Sequence, residues 1–233
     1  MKKLFVLQRQ PVGEYQFLLD IFSAEAGRLS VVTPQRSAKQ DAFIPDCFQQ
    51  CQADWRVGED WPQIKALQRQ RTFQLRNNSL YCGLYLNELL ARLLPRNEPA
   101  KDLFLLYASV INALEDNNDS ANGGALEPWL RLFEYQLLQQ LGLGFSWQQD
   151  SLARPITLHQ RYRFNPQEGF YLHGAGFFRG SDILAFAGWL KNFAEVPHDV
   201  SVWQTAKQVL RLALEHVLER PLISRQLFNP SKI

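Results

Sequence analysis

The first 75 residues contain short runs of alternating apolar and polar residues, separated by residues that form turns. These runs predict five β-strands, at about residues 2–10, 15–22, 28–33, 43–55 and 63–73. The stretches between them, such as residues 11–13, 23–27 and 34–41, carry glycine, proline or polar residues typical of turns and loops. Five short strands joined by turns favour a small closed barrel of the oligonucleotide-binding (OB) type. A small open sheet is the competing interpretation, because strand propensity does not separate the two.

The spacing of apolar residues becomes helical further along the chain. The leucines of the stretch YCGLYLNELLARLLP, residues 81–95, recur on one helix face, with a proline at its end. Further helices are predicted at about residues 100–115, 127–141, 181–193, 200–218 and 224–228. Residues 77–79 (NNS) and Ser181 are candidate N-caps, and Gly142 is a candidate stop signal. We expect the first three helices to pack into one bundle.

Residues 145–180 are irregular and rich in aromatic side chains. RYRF at residues 161–164 and GFY at residues 169–171 predict a small hairpin with its turn at residues 165–168. Tyr162, Phe164 and Phe178 are expected to be core, since this region has few other apolar residues. The predicted fold class is α+β: an N-terminal OB-fold barrel at residues 1–78, then a mainly helical domain at residues 79–233 containing the irregular hairpin region.

Composition indicates where the protein is located and how its charge is distributed along the chain. The chain is 46% hydrophobic with a net charge of +2, and no apolar run is long enough to span a bilayer. The N-terminal apolar segment is too short for a signal peptide, and three cysteines without a secretion signal suggest reduced thiols. We therefore expect a cytoplasmic protein. Residues 1–80, 81–145 and 146–233 carry net charges of +3, −4 and +3, so either end could face phosphates.

Several basic residues are candidates for contact with nucleic acid, because an OB barrel binds it with a basic groove and stacking aromatics. Arg28, Arg36 and Lys39 lie on or beside one predicted loop, and Arg69 and Arg71 are expected to share one face of the fifth strand. A second set consists of side chains near the hairpin and on the last long helix: Arg161, Arg163, Arg179, Lys207 and Arg211. The alternative for both sets is an ordinary solvated surface.

Catalytic motifs are lacking in the sequence. There is no phosphate-binding glycine loop, nucleophile elbow, metal-ligand cluster or triad, so we predict a protein that is not an enzyme and holds no cofactor or metal. The alternative is a hydrolase that uses His159 or His173 with Glu168. Glu88 and Glu134 lie within apolar helix faces, where structural ion pairs, such as one with Arg225, are the expected explanation.

Four segments together resemble the RecO family of bacterial recombination mediators. They are YLNELLARLLP with LFLLYASVINAL (residues 85–95 and 103–114), LRLFEYQLLQQLGLG (residues 130–144), PLISRQLF (residues 221–228) and the N-terminal strand order, with Gly27 and Arg28 before the third strand. The resemblance covers nearly the whole chain in order.

This resemblance implies a protein that binds single- and double-stranded DNA and anneals complementary strands. It also implies binding to the acidic, hydrophobic C-terminal tail of single-stranded DNA-binding protein (SSB) and, with RecR, a role in loading RecA. A nucleoid-associated location follows from the same resemblance. Arg131 matches a family arginine associated with the SSB tail, and Leu130, Phe133 and Leu137 are its apolar neighbours. Pairing of Arg131 with Glu127 or Tyr135 within the helix is the alternative.

The sequence departs from the family at two places. Many RecO proteins carry a four-cysteine zinc site, but residues 146–179 contain no cysteine here, so we predict no zinc. The loop at residues 34–41 keeps only Arg36 and Lys39 as basic residues, whereas the family loop is rich in them. An OB-fold RNA-binding or translation-associated protein is therefore kept as the alternative.

Overall fold

The structure is a computed structural model that describes residues 1–12, 16–33, 45–56, 62–118, 126–193 and 195–224. Its described residues form two compact units: residues up to 118 together with 222–224, and residues between 126 and 221. Among the described residues, none of the helices has the length and hydropathy of a membrane-spanning segment. The predicted division after residue 78 follows the change from strands to helices, and it stays a prediction as a boundary between independently folding domains.

Five strands close into a barrel in the first unit, in the order β1-β2-β3-β5-β4. They are β1 Lys2–Val12, β2 Gln16–Ser23, β3 Gly27–Val32, β4 Gln49–Arg56 and β5 Gln63–Thr72. All neighbours are antiparallel except β3 and β5, which pair in parallel at Val32 and Gln63 and close the ring. The closed OB-like barrel is thus confirmed and the open sheet is wrong. Apolar residues at alternate positions along the strands fill the barrel interior: Leu4, Val6, Leu19, Ile21, Leu29, Val31, Cys51, Ala53 and Ile64.

Two helices, α1 Asn77–Leu93 and α2 Lys101–Asp116, cover one outer face of the barrel. The ring of Phe5 on β1 lies 5.0 Å from that of Tyr107, and Phe22 on β2 lies 5.5 Å from Phe104. These four rings are each at most 3% exposed. Strand residues therefore alternate between the barrel interior and a second aromatic core beneath α2.

The turn into β3 depends on a glycine. Gly27 has a φ of +66° and lies so close to the connection between α1 and α2 that an added Cβ would be 1.8 Å from the carbonyl oxygen of Glu98. The backbone N–H of Asn97 donates to the carbonyl of Arg28 over 2.8 Å. Only glycine combines this conformation with this closeness.

The second unit contains three helices and a small sheet. They are α3 Glu127–Gln140, β6 Arg161–Asn165, β7 Gly169–Leu172, β8 Phe178–Arg179, α4 Gly180–Asn192 and α5 Val200–Val217. The predicted hairpin is β6 and β7, and the sequence pattern missed the short β8, which pairs with the other side of β6. The predicted bundle of the first three helices is wrong, because α3 belongs to this unit and packs against α5.

Aromatic side chains make the core of the second unit. Trp147 lies 4.5 Å from Phe186 and 5.4 Å from Phe170 between ring centroids. Tyr162, Phe164 and Phe178 are at most 9% exposed, which confirms their predicted core role. Their side chains share the inner face of the sheet, so the residues between them point outward.

Two predicted helix caps are wrong, whereas the stop at Gly142 is confirmed. The N-cap of α1 is Arg76, without a side-chain cap, so residues 77–79 form the first turn instead. Helix α4 follows directly on β8, and the Gly180 N–H donates to the carbonyl of Gln160, so Ser181 lies inside the helix. Gly142 has a φ of +70° one residue after the C-cap of α3, as expected for a helix end. Residues 225–228 of the last predicted helix lie outside the described residues.

Candidate nucleic-acid interface

Arg28 forms an ion pair instead of facing an open surface. Its Nη2 is 2.8 Å and its Nε 3.0 Å from Asp20 Oδ2 on β2. Its Nη1 donates to the carbonyl of Leu94 at the end of α1, and the side chain is 13% exposed. Arg28 thus ties the barrel to the end of α1, which gives it a structural role; its contact with DNA stays a prediction.

The two arginines of β5 do not share a face as predicted. Pairing with β4 places Arg69 opposite Cys51 and Arg71 opposite Gln50, so that Gln70 is an extra residue in β5. Neighbouring residues of β4 point to opposite faces, and a bulge reverses the alternation of the strand that carries it. The shared face is therefore wrong, although both arginines are exposed.

Arg71 is held in place by contacts on the outside of the barrel. Its Nη2 is 2.6 Å from Glu115 Oε2 of α2, and its guanidinium lies 4.3 Å from the ring centroid of Phe73. The side chain remains 48% exposed. Arg36 and Lys39, the predicted loop cations, lie outside the described residues.

A cation and an aromatic ring that sequence reasoning missed meet on the barrel. Lys2 Nζ lies 4.7 Å from the ring centroid of Trp55, because β1 and β4 are neighbouring strands. Their sequence distance concealed this pair, since only the barrel topology brings the two strands together.

The second predicted set of cations lies on the outer face of the small sheet and on α5. Arg161 pairs across the sheet with Arg179, and Arg163 with Tyr171, so all four side chains share one face. Lys207 and Arg211 are exposed on α5. Lys207 Nζ lies 3.5 Å from Glu127, and Arg211 Nε donates to Glu215 over 2.8 Å.

A groove separates this sheet face from the exposed side of α5. It has a volume of about 590 Å³, and Arg163, Tyr171, Arg211 and Leu212 are among the residues that line it. Phe177, also in its lining, is 80% exposed. Alternation from the buried Phe178 could have indicated an outward Phe177, but β8 is too short to be recognised from its sequence pattern.

Arg163 differs from Arg211, the other cation that lines the groove. It has no ion-pair partner among the described residues, and its Nε is buried without a hydrogen-bond acceptor. Buried donors in native proteins are normally paired. Because Arg163 lines the groove, an anion bound there would meet a cation that no carboxylate of the described residues neutralises.

The residues predicted to contact the SSB tail are buried. Arg131, Leu130, Phe133 and Leu137 of α3 are at most 7% exposed. Arg131 Nη1 lies 3.0 Å from Glu134 Oε2, so the suggested partners Glu127 and Tyr135 are replaced by a third residue of the same helix. The pair is one of the structural ion pairs expected for the helix carboxylates.

Glu88 is the other helix carboxylate, and it receives the end of the described chain. It accepts hydrogen bonds from the backbone N–H of Ile223 and of Ser224 at 2.8 Å each, and from Ser224 Oγ at 2.6 Å. Arg92 Nη2 is 2.6 Å away. Arg225, the suggested partner, lies outside the described residues.

The residues considered for catalysis do not form a recognisable site. His159 and Glu168 are exposed, and His173 Nδ1 accepts a hydrogen bond from the Ala175 N–H. No group of His, Cys, Asp and Glu within the described ranges could hold a metal ion. Burial raises the pKa of both Cys47 and Cys51 to about 11, which keeps these thiols protonated and unreactive at neutral pH.

Comparison with known proteins finds relatives that match nearly the whole length of the chain. Residues 77–226 match the family model described as "Recombination protein O C terminal". The "DNA repair protein RecO" of Pseudomonas aeruginosa is 35% identical over 98% of this chain and 94% of its own length. The protein of that name from Haemophilus influenzae is 33% identical over 98% of this chain and 95% of its own, and that of Stutzerimonas stutzeri is 33% identical over 96% and 91%.

Proposed function

Because the chain belongs to the RecO family of DNA repair proteins, we propose that it is a recombination mediator. In this role it binds single- and double-stranded DNA, anneals complementary strands and, together with RecR, helps RecA to load onto SSB-coated DNA. It acts in the cytoplasm, in association with the nucleoid, and it needs no chemical step, cofactor or metal of its own.

The observation that carries the proposal is similarity over nearly the full length of proteins named for DNA repair. The closed OB-like barrel supports it, since such barrels commonly bind oligonucleotides. Exposed cations in both units supply the charge that phosphates need. The proposed contacts are Arg69 and Arg71 on the barrel, the undescribed Arg36 and Lys39, and Arg161, Arg163, Lys207 and Arg211 in the second unit.

Contact with the SSB tail rests on the resemblance. The burial of Arg131 and its ion pair with Glu134 mean that a tail could reach this guanidinium only if α3 or its surroundings rearranged. On the basis of the resemblance, we propose that the helical part of the chain binds the tail. Arg131 and its apolar neighbours are the candidates to test.

The decisive experiment is annealing of two complementary DNA strands, each coated with the cognate SSB, with and without this protein. We expect the protein to accelerate annealing, and the effect to fade as salt rises because phosphate contacts release counterions. A folded protein that gave no acceleration would contradict the proposal.

The same experiment with RNA strands separates the main alternative. An RNA-binding OB protein should prefer RNA, whose 2′-hydroxyl distinguishes it from DNA, and should be indifferent to SSB. Equal or better annealing of bare RNA, with no effect on SSB-coated DNA, would favour that alternative.

A further inference from the structure

The groove between the outer face of the small sheet and α5 combines arginines that the sequence had suggested with an exposed aromatic residue, Phe177, that it had not. We infer that it binds single-stranded nucleic acid, with bases stacking on Phe177 and Tyr171 and phosphates held by Arg163 and its neighbours. The inference rests on the proposed function and gives it a site within the second unit.

The backbone on both sides of Phe177 is anchored, although Phe177 itself is 80% exposed. On one side the Gly176 N–H donates to the carbonyl of His173, and Arg161 Nη1 donates to the carbonyl of Gly176 over 3.3 Å. On the other side Phe178 is buried in the core. An added Cβ at Gly176 would be 2.4 Å from the carbonyl oxygen of Tyr162. An exposed aromatic side chain on an anchored backbone segment offers a ring on which a base can stack.

The charges of the groove suit a polyanion. Arg163 brings an unpaired guanidinium whose buried Nε lacks an acceptor within the described chain. The carboxylate of Glu215 is neutralised by Arg211, whose Nε lies 2.8 Å away. Arg161 and Arg179 extend the basic surface along the same sheet face. Phosphates spaced along a strand could therefore contact several guanidinium groups in turn.

The exposed ring favours a nucleotide base over a peptide side chain. A peptide anchors an aromatic residue by burying it in an apolar pocket, whereas a base needs an accessible ring face on which to stack. Phe177 is 80% exposed, and Tyr171 and Leu212 line the same groove. This arrangement offers an exposed ring face for stacking and not an apolar pocket for a peptide side chain.

The test is binding of a fluorescein-labelled oligothymidine to the full chain, followed by anisotropy over a range of salt concentrations. Phe177→Ala should weaken binding by about 5- to 150-fold, as expected for the loss of one base–aromatic stack. Its dependence on salt should equal that of the wild type. Arg163→Gln should instead reduce the slope of log K against log salt by about 0.7, as expected for one lost phosphate contact on a single strand.

Matched variants control for surface and charge effects. Leu152 is 69% exposed in the same unit and does not line the groove, so Leu152→Ala should bind like the wild type. Lys191→Gln removes an exposed charge at the end of α4 and should leave the salt slope unchanged. An abasic strand with the same phosphates should bind Phe177→Ala and wild type equally. Thermal melting checks that Arg163→Gln is folded.

Each outcome decides a different point. Wild-type protein that binds no strand overturns the proposed function together with the groove. Binding that is normal in Phe177→Ala overturns the groove alone. If Phe177→Ala leaves DNA binding intact but weakens a peptide with the SSB C-terminal sequence, the groove is a peptide site and the inference is wrong.

Discussion

Three arginines of this protein have three different environments, and each predicts a different response to substitution. Arg28 pairs with Asp20 and is 13% exposed. Arg131 is almost fully buried with Glu134. Arg163 lines a groove with an unpaired Nε. Removing a cation should therefore affect stability at the first two positions and ligand binding at the third.

Arg131→Ala should destabilise the second unit strongly. It removes the ion pair from Glu134, a carboxylate that is 1% exposed, and breaking a buried pair from one side typically costs about 3–5 kcal/mol. Urea unfolding followed by tryptophan fluorescence measures this loss. A free energy of unfolding within about 0.5 kcal/mol of the wild type, the range of ordinary surface changes, would show that the pair has little structural importance.

A double variant separates folding from SSB binding. Arg131→Met combined with Glu134→Leu replaces the pair by apolar groups of similar size, which is often neutral or stabilising. We expect it to recover most of the stability lost in Arg131→Ala. Calorimetric titration with an SSB tail peptide then tests Arg131 in a folded protein, and unchanged affinity would remove it as a tail contact.

Residue types were easier to predict than their environments. The arginines and the carboxylates of α1 and α3 could be recognised from the sequence, and so could the structural nature of the helix carboxylates. The faces of Arg69 and Arg71 could not, because one extra residue at Gln70 reverses the alternation. The burial of Arg131 depends on the packing of α3 against α5, which helical spacing alone does not specify.

At the scale of elements, a buried hydrogen-bond chain joins one strand and two helices. Tyr107 Oη on α2 donates to Asn87 Oδ1 on α1 over 2.5 Å, and Asn87 Nδ2 donates to the carbonyl of Leu7 on β1 over 3.0 Å. Burial holds the pKa of Tyr107 well above its ordinary value, so the phenol stays a proton donor. Cys47 Sγ approaches the same Leu7 carbonyl at 3.1 Å.

Tyr107→Phe should destabilise the first unit by about 1–3 kcal/mol, because it takes a hydrogen bond from a buried amide while preserving the ring. The ring contact with Phe5 at 5.0 Å should remain. Thermal denaturation followed by far-UV circular dichroism measures the change. Tyr135→Phe is the matched control, since that half-buried tyrosine of α3 has no hydroxyl hydrogen bond within the described residues. If both changes lowered stability equally, the hydrogen bond from Tyr107 to Asn87 would have no special role in stability.

Elements with a strong repeat were predictable, and those set by tertiary contacts were not. Helices α1 to α5 and the five barrel strands follow from periodicity to within a few residues. The exceptions are β4, which was predicted to be longer than it is, and α1, which begins earlier than predicted. Strand β8 has two residues, too few to show a period. The packing of α3 with α5 was missed because leucine spacing identifies a buried face without identifying its partner.

At the scale of the whole molecule, the chain returns to its first unit at the end. Residues 222–224 belong with the barrel, α1 and α2, although residues between 126 and 221 form the second unit. Leu222 and Ser224 are 1% and 4% exposed, whereas Ile223 between them is 64% exposed. Glu88 of α1 binds this segment, so two of the segments on which the family resemblance rested meet in one contact.

The pH dependence of this contact follows from the pKa of Glu88. Burial raises that pKa, but the hydrogen bonds from Ser224 Oγ and from the N–H groups of Ser224 and Ile223, together with Arg92, leave it below its ordinary value of 4.5. The folded state therefore favours the carboxylate. Its contribution to stability is present above pH 4.5 and is lost as the pH falls through the lower, folded pKa.

Glu88→Gln should release the segment without unfolding the barrel. A neutral amide loses the charge-assisted part of these hydrogen bonds, which are worth about 1.5–3 kcal/mol each, so the protection factors of the Ile223 and Ser224 amides should fall about 10-fold or more at pH 7. Wild-type protection should also fall as the pH drops below 4.5 and Glu88 becomes protonated, and the variant should show little pH dependence there. Glu98→Gln, at an exposed position of the same unit, should change neither amide. Unaltered protection in Glu88→Gln would mean that the buried Leu222 alone holds the segment.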